Sequence, residues 1–586
     1  MTFTYTVTAA DWGRIAPELV LAVTALLVLI GDLLLPQSGD TAKDRGPANF
    51  TVLPILSLIG LAGALAATIV LYVAGDQQNA FNNMIASNDG ALYGYIIILS
   101  ASILGIMFSP AYLKRLNIFH QGEYYALFLF ATVGMLLLSA AASFLMVFLG
   151  IELLSLSLYI LCGFVTRRKT SQESGMKYFL LSSFASAFLL YGIALTYATT
   201  GSTAFAGVRN FLFEHSLARP PQGGPLHVAA PLVGVGQPFH SPSLLLVAMG
   251  LLAVGFAFKV SAVPFQAWTP DVYDGAPAPV TAFMSVGTKA AALIAFARVF
   301  DIVFFYTRAD WMPVVWAITI LTIVGGNVLA LAQSNVKRML AYSSIAHAGY
   351  LLIGVVVGQT IGLSAILFYL LCYTFMNLGA FGVISVLERG DNSGSSYSDL
   401  RGLWYRQPAL AGLLAFFMFA LAGFPPMAGF AAKYYIFYAA LVGGHPELLI
   451  IGVLASVLGM YYYLRVAAVM FMERESLPLA PSPMSATPAP VPTTKRTSGR
   501  LSGGGAATAV AARPTTGAGT ATRAGQATRA GQAHAPTVED ETEKVQVGWL
   551  SWGGLALAVI GTLAMGTLLP FWLVQLAQQA ATTMFR

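Results

Sequence analysis

Fourteen apolar stretches, each near the length that crosses a bilayer as a helix, make up most of this chain and leave it few folds to choose from. They lie near 15–36, 51–74, 91–113, 123–142, 144–165, 176–200, 243–273, 277–303, 311–333, 339–358, 361–387, 408–441, 446–472 and 549–575. A bilayer core offers no water to backbone N–H and C=O groups, so apolar runs of about 20 residues resolve into helices. Charged residues are only 10% of the 586, against roughly 25% in soluble domains. The expectation is an all-α polytopic membrane protein with about fourteen transmembrane helices. The cuts between 123–142 and 144–165, and between 311–333 and 339–358, are the least distinct.

Basic residues orient the chain. With the N-terminus outside, the inner loops collect Lys43, Arg45, Lys114, Arg115, Arg167, Arg168, Lys169, Lys177, Lys337, Arg338, Arg389, Arg401 and Arg406, while the outer side holds Arg14, Arg209, Arg219, Arg308 and Arg586. That asymmetry places both termini outside by the positive-inside rule. The net charge of +6 is therefore a topology signal and implies no nucleic-acid partner. Asp11 and Arg14 precede the first apolar stretch and no small-residue cleavage site follows it, so it reads as a retained helix.

Two cysteines, Cys162 and Cys372, are too few for a four-thiolate iron–sulfur or zinc site. Gly234-Val235-Gly236 lacks the third glycine and the strand of a dinucleotide fingerprint, and no P-loop occurs. His215, His227 and His240, between about 201 and 242, show no metal-ligand spacing and read as loop residues. Redox chemistry and nucleotide hydrolysis are not expected to reside in this chain.

Two apolar stretches carry proline at their middles: "FAFKVSAVPFQAW" around Pro264 and "FALAGFPPMAGFAAKYY" around Pro425 and Pro426. Each is fourth in a run of five helices, one run within 123–303 and the other within 304–475. An odd count makes the second run enter from the opposite side, so these read as inverted repeats, and paired broken helices in such repeats point to an ion pathway. The organisation is then three helices over 1–122, the two repeats, a low-complexity linker over 476–545 containing "ATRAGQATRAGQ", and a last helix within 546–586. The linker's Pro, Ala, Gly, Ser and Thr content reads as disorder.

Within the apolar stretches five ionisable residues stand out. Lys259 precedes the first break, Lys289 lies in "MSVGTKAAALIAF", Lys433 follows the second break, Glu152 lies in "FLGIELLSLSLY" and His347 in "SSIAHAGYLLIG". Snorkelling does not serve a lysine at mid-membrane depth, where it costs about 2.5–3.5 kcal/mol on insertion scales. Glu152 is the expected partner of Lys259, either as a structural ion pair that fixes helix register or as a switch. Burial disfavours an ammonium and a nearby carboxylate favours it, so a lysine held between the two can exchange a proton near neutral pH. Glu152, Lys259, Lys289, His347 and Lys433 are thus expected to form a proton wire, with water admitted at Pro264, Pro425 and Pro426.

These segments also resemble a known family. "FKVSAVPFQAWTPDVYDGAPAPVTAF", "SSIAHAGYLL", "GFPPMAGFAAKYYIF" and "GIELLSLSLY" are similar to the antiporter-like subunit N family of proton-pumping NADH:quinone oxidoreductase, respiratory complex I. "WTPDVYDGAPAPV" and a lysine at 433 favour that subunit over its sisters. The resemblance implies that Glu152, Lys259, Lys289 and Lys433 match the family's essential membrane residues, with His347 in a central polar axis. It implies a bacterial cell (inner) membrane location, other membrane-arm subunits and the lipid bilayer as partners, and FMN, iron–sulfur clusters and quinone held by those other subunits. The alternative is a subunit of a multi-subunit sodium/proton antiporter, which shares fold and buried lysines; a structural membrane scaffold with inert ion pairs is a third reading.

Overall fold

The computed structural model describes residues 7–35, 49–118, 121–215, 242–389, 393–473, 547–568 and 570–585. The linker expected over 476–545, His227 and His240 lie outside them. The helices in chain order are α1 (Ala9–Arg14), α2 (Ala16–Leu34), α3 (Asn49–Ala74), α4 (Asp89–Arg115), α5 (Gly122–Ser139), α6 (Phe144–Cys162), α7 (Lys169–Thr200) and α8 (Phe205–His215). There follow α9 (Pro242–Val260), α10 (Trp268–Gly275), α11 (Ala278–Ala297), α12 (Arg308–Leu331), α13 (Val336–Val357) and α14 (Gln359–Leu387). Short α15 (Tyr397–Leu400) and α16 (Leu403–Arg406) lead to α17 (Pro408–Ala422), α18 (Ala428–Val442), α19 (Pro446–Phe471), α20 (Trp549–Leu563) and α21 (Pro570–Met584).

Among the described residues, thirteen helices are long and apolar enough to cross a membrane, and α17 with α18 supplies two shorter apolar pieces. Counted as one broken crossing, that pair brings the total to the expected fourteen. The uncertain cuts are real: residues 140–143 separate α5 from α6, and 332–335 separate α12 from α13. The end of the chain differs from expectation, because helix resumes at Pro570 and reaches Met584. Gln575, Gln578 and Gln579 dilute its apolarity, and one side packs on α4 and α14.

Burial sorts the helices. Every residue of α11 is buried, as are nearly all of α13 and α14, whereas α2, α3, α7, α12 and α19 are mostly open on one side. The open sides are apolar, with Val73, Phe184 and Leu454 among the exposed residues, which suits contact with lipid or a neighbouring membrane chain. Apolar surface gives helices little reason to associate in lipid, so close packing has to do it. A Cβ on Gly134 of α5 would lie 2.5 Å from Leu154 N of α6, and one on Gly150 of α6 would lie 2.8 Å from Leu138 N of α5. The first two helices of the second run repeat the device: a Cβ on Gly326 of α12 would lie 2.5 Å from Ala346 N, and one on Gly349 of α13 would lie 2.7 Å from Ile323 N.

Both proline interruptions break their helices. Val263-Pro264 and Pro425-Pro426 are cis bonds. Freed groups find partners nearby: Val263 N donates to Thr322 Oγ1 of α12 (2.9 Å), and Trp268 Nε1 donates to Phe258 O (3.0 Å).

Candidate functional site

Lys259 occupies the last turn of α9, the carbonyl end of the first half-helix, where a cation is favoured. It is 3% exposed. Its Nζ donates to Ser155 Oγ of α6 (2.6 Å) and Ser182 Oγ of α7 (2.7 Å) and lies 5.6 Å from the Tyr178 ring centre. The direct ion pair expected with Glu152 does not form. Glu152 sits one turn before Ser155 on α6, so the serine hydroxyl takes the nearer place at the ammonium. Glu152 Oε1 is buried with no hydrogen-bond partner, and Tyr159 Oη and Ser186 Oγ beside this site are in the same condition. Buried polar atoms left this way by the protein are normally satisfied by water.

Lys289, at the middle of fully buried α11, donates to Ser344 O (2.7 Å) and Ser344 Oγ (2.5 Å) of α13. This bond crosses from the first run to the second. One turn further along α13, His347 shares Nδ1 with Tyr369 Oη of α14 (2.7 Å) and Nε2 with Tyr463 Oη of α19 (3.0 Å). Another turn on, Tyr350 packs its ring edge-on to His347, with centres 5.8 Å apart. Lys433 Nζ lies 5.8 Å from that same Tyr350 ring. Ser344, His347 and Tyr350 recur every three residues on one face of α13, so a single helix spans from Lys289 to Lys433.

Lys433 stands on α18, after the break, and so has no sequence counterpart to Lys259. In space the two are closer in kind. Lys433 Nζ donates to Ala422 O, at the carbonyl end of α17, and to Ser456 Oγ of α19, both at 2.9 Å. It also lines a cleft of about 420 Å³ with Ser456, Tyr434 and Tyr438.

Glu152, Lys259, Lys289 and His347 lie in helices long and apolar enough to cross a membrane, and Lys433 lies in the shorter apolar helix α18. Lys289, His347 and Lys433 are joined through α13, while Lys259 and Glu152 form a separate group on α6, α7 and α9. Sequence reasoning missed the acceptors Ser155, Ser182, Ser344 and Ser456 and the ring of Tyr350. Ser155, Ser344 and Tyr350 stand three residues from Glu152 or His347 in "GIELLSLSLY" and "SSIAHAGY", a spacing that marks a shared helix face without telling which hydroxyl meets a lysine, and Ser182 and Ser456 lie in other segments.

The family described as NADH:quinone oxidoreductase/Mrp antiporter, TM, matches residues 141–459. A curated protein of Trichlorobacter lovleyi, NADH-quinone oxidoreductase subunit N, is 42% identical over 459 residues, covering 78% of this chain and 87% of that one. The chain belongs to the subunit N family.

Among solved structures, this subunit N chain is similar to a chain of respiratory complex I from Thermus thermophilus, with 32% identity, a TM-score of 0.61, and 80% and 92% of the two chains covered. A chain of the Mrp complex from Dietzia sp. DQ12-45-1b has 20% identity, a TM-score of 0.68 and 97% of each chain covered, a likeness of fold alone. The family match spans both broken helices and every one of the five ionisable residues. Cys162 and Cys372 are buried free thiols, and among the described residues no group of three His, Cys, Asp or Glu side chains is placed to hold a metal.

Proposed function

We propose that this subunit N chain carries protons through the membrane arm of NADH:quinone oxidoreductase, using Glu152, Lys259, Lys289, His347 and Lys433. The observation that supports it best is the sharing of α13, whose Ser344 accepts from Lys289 and whose Tyr350 faces Lys433, with His347 between. Each cation is buried yet hydrogen-bonded to groups that serve a neutral amine as well as an ammonium. A hydroxyl both donates and accepts, so protonation and release need little rearrangement. His347 touches two tyrosine hydroxyls and can accept on one nitrogen while donating from the other.

The repeats run from 123–303 and 304–475 in opposite senses, each contributing one broken helix. Charge arrives at Lys259 beside Glu152, and the serine pair holds it until the local field changes. Electron transfer itself belongs to partner chains that hold FMN, iron–sulfur clusters and quinone; this chain's residues bind and pass protons. It works in a bacterial cell membrane among other membrane-arm subunits, with both termini outside.

The test is proton pumping measured against electron-transfer rate in membranes carrying Lys259→Ala, with assembly checked in parallel. Collapse of turnover and pumping in an assembled complex is expected. Wild-type values for both would make the buried lysine structural and end the proton reading.

A further inference from the structure

Glu388 ends α14 and is 2% exposed, with its whole side chain buried. Both oxygens are occupied. Arg168 Nη1 donates to Oε1 at 2.5 Å and Tyr112 Oη donates to the same atom at 3.2 Å, while Lys337 Nζ donates to Oε2 at 3.3 Å. Arg168 Nη2 reaches on to Arg389 O (2.9 Å), and Lys337 Nζ to Ala276 O (2.7 Å). In the sequence Arg168 and Lys337 count as inner-loop charges that set topology; in the fold they are 7% and 0% exposed.

The elements so joined are informative. Arg168 caps the start of α7, Lys337 lies in the first turn of α13, and Ala276 stands just before α11. Lys337 and Ser344 are seven residues apart, two turns on one face of α13, which is about 10 Å of rise. Lys289 of α11 donates to Ser344. Lys337 therefore ties the foot of the helix that presents the acceptor to the foot of the helix that presents the donor, and Glu388 holds Lys337 against an anchor on α7.

We propose that Glu388 is a positioning residue for Lys289: through Lys337 it fixes the height of Ser344 relative to the Lys289 ammonium. It touches neither of them. Without its charge Arg168 and Lys337 lose the buried carboxylate they share, and the weakened tie frees the first turn of α13, the part that Ser344 rides on. This inference rests on Lys289 being a proton carrier.

The experiment measures pumping-coupled turnover per assembled complex in four membranes: wild type, Glu388→Gln, Ser344→Ala and the double variant. A residue that only stabilises the fold lowers the amount of complex and leaves the rate per complex unchanged. Glu388→Gln is expected to lower the rate about fivefold, within the range that coupling through packed elements reaches. In the Ser344→Ala background, which removes the hydroxyl and keeps the Ser344 carbonyl that Lys289 also reaches, the same change is expected to add clearly less than the fivefold it costs alone, because the two act at one place. A wild-type rate for Glu388→Gln overturns the proposal, as does a full additional loss in the double variant. Should Glu388→Gln fail to assemble, Lys337→Gln takes its place in the same four-way comparison, with the same losses expected and the same two outcomes overturning the proposal. Lys289→Ala separates the two ideas: its collapse alongside a normal Glu388→Gln removes only the positioning role, whereas normal pumping by Lys289→Ala removes the carrier reading beneath it.

Discussion

The Lys433 ammonium turns back across the second break to donate to Ala422 O, 2.9 Å away at the end of the preceding half-helix. Gly423 makes room for that return. Its φ is +94°, and a Cβ there would lie 3.1 Å from Lys433 Cδ and 3.4 Å from Nζ. Gly423→Ala is expected to cost about 1–3 kcal/mol of strain and to displace the lysine stem. Thermal unfolding of the complex and turnover per assembled complex check it; unchanged turnover would mean that Lys433 does not depend on Ala422 O.

Ser155 and Ser182 divide the Lys259 ammonium between two helices. Hydrogen bonds to a charged group are worth about 1.5–3 kcal/mol, so either alanine substitution should lower turnover by roughly ten- to a hundredfold on that scale. The pair Ser155→Ala with Ser182→Ala should approach Lys259→Ala. Steady-state quinone reduction with proton uptake followed by dye quenching reads both. Rates near wild type in the pair would show that water replaces the hydroxyls.

The C-terminal helices brace the second break from outside. A Cβ on Gly566 would fall 2.1 Å from Pro426 O and 2.7 Å from Ala428 N. Gly566→Leu should destabilise by about 1–3 kcal/mol through overpacking, seen as a lower unfolding temperature and less assembled chain, with Gly566→Ala milder in both.

Acid should loosen the N-terminal rim before the core. Arg14 Nε donates to Asp76 Oδ2 (2.8 Å) and holds that carboxyl below its ordinary value. The Thr8 amide and hydroxyl do the same for Asp11, which also accepts from Phe81 N at 3.2 Å. Both groups bind protons less readily in the folded chain than in the unfolded one. Their contribution is complete above the ordinary carboxylate value of about 4 and is lost as pH falls through the lowered folded values. The protection factor of the Phe81 amide, its exchange rate relative to that of an unstructured amide at the same pH, should therefore be constant near neutral pH and fall only in acid, and Asp11→Asn should abolish that dependence.

Much of this was legible beforehand because lipid punishes charge and broken backbone. Lys259, Lys289, Lys433 and Glu152 stand out in apolar runs, and Pro264 and Pro425 mark the interruptions. The acceptors were illegible because a serine in a membrane helix usually bonds its own turn: Ser155 also donates to Ile151 O, and nothing local tells which hydroxyl will meet a lysine. Glu388, Arg168 and Lys337 sit at helix ends, where a charge reads as solvated. They are buried where Arg168, Lys337 and Tyr112 of α4 converge on Glu388 at the end of α14, a meeting of residues far apart in the chain.

Ser344, His347 and Tyr350 have a consequence for how such a chain can change length. One residue inserted between Val336 and Ser344 would turn every later side chain of α13 by about 100° and advance it by about 1.5 Å. All three contacts would be lost at once, and no shift of a neighbouring helix restores them together. Tolerated insertions and deletions should therefore fall in the connections between helices, leaving the register of this one helix unaltered.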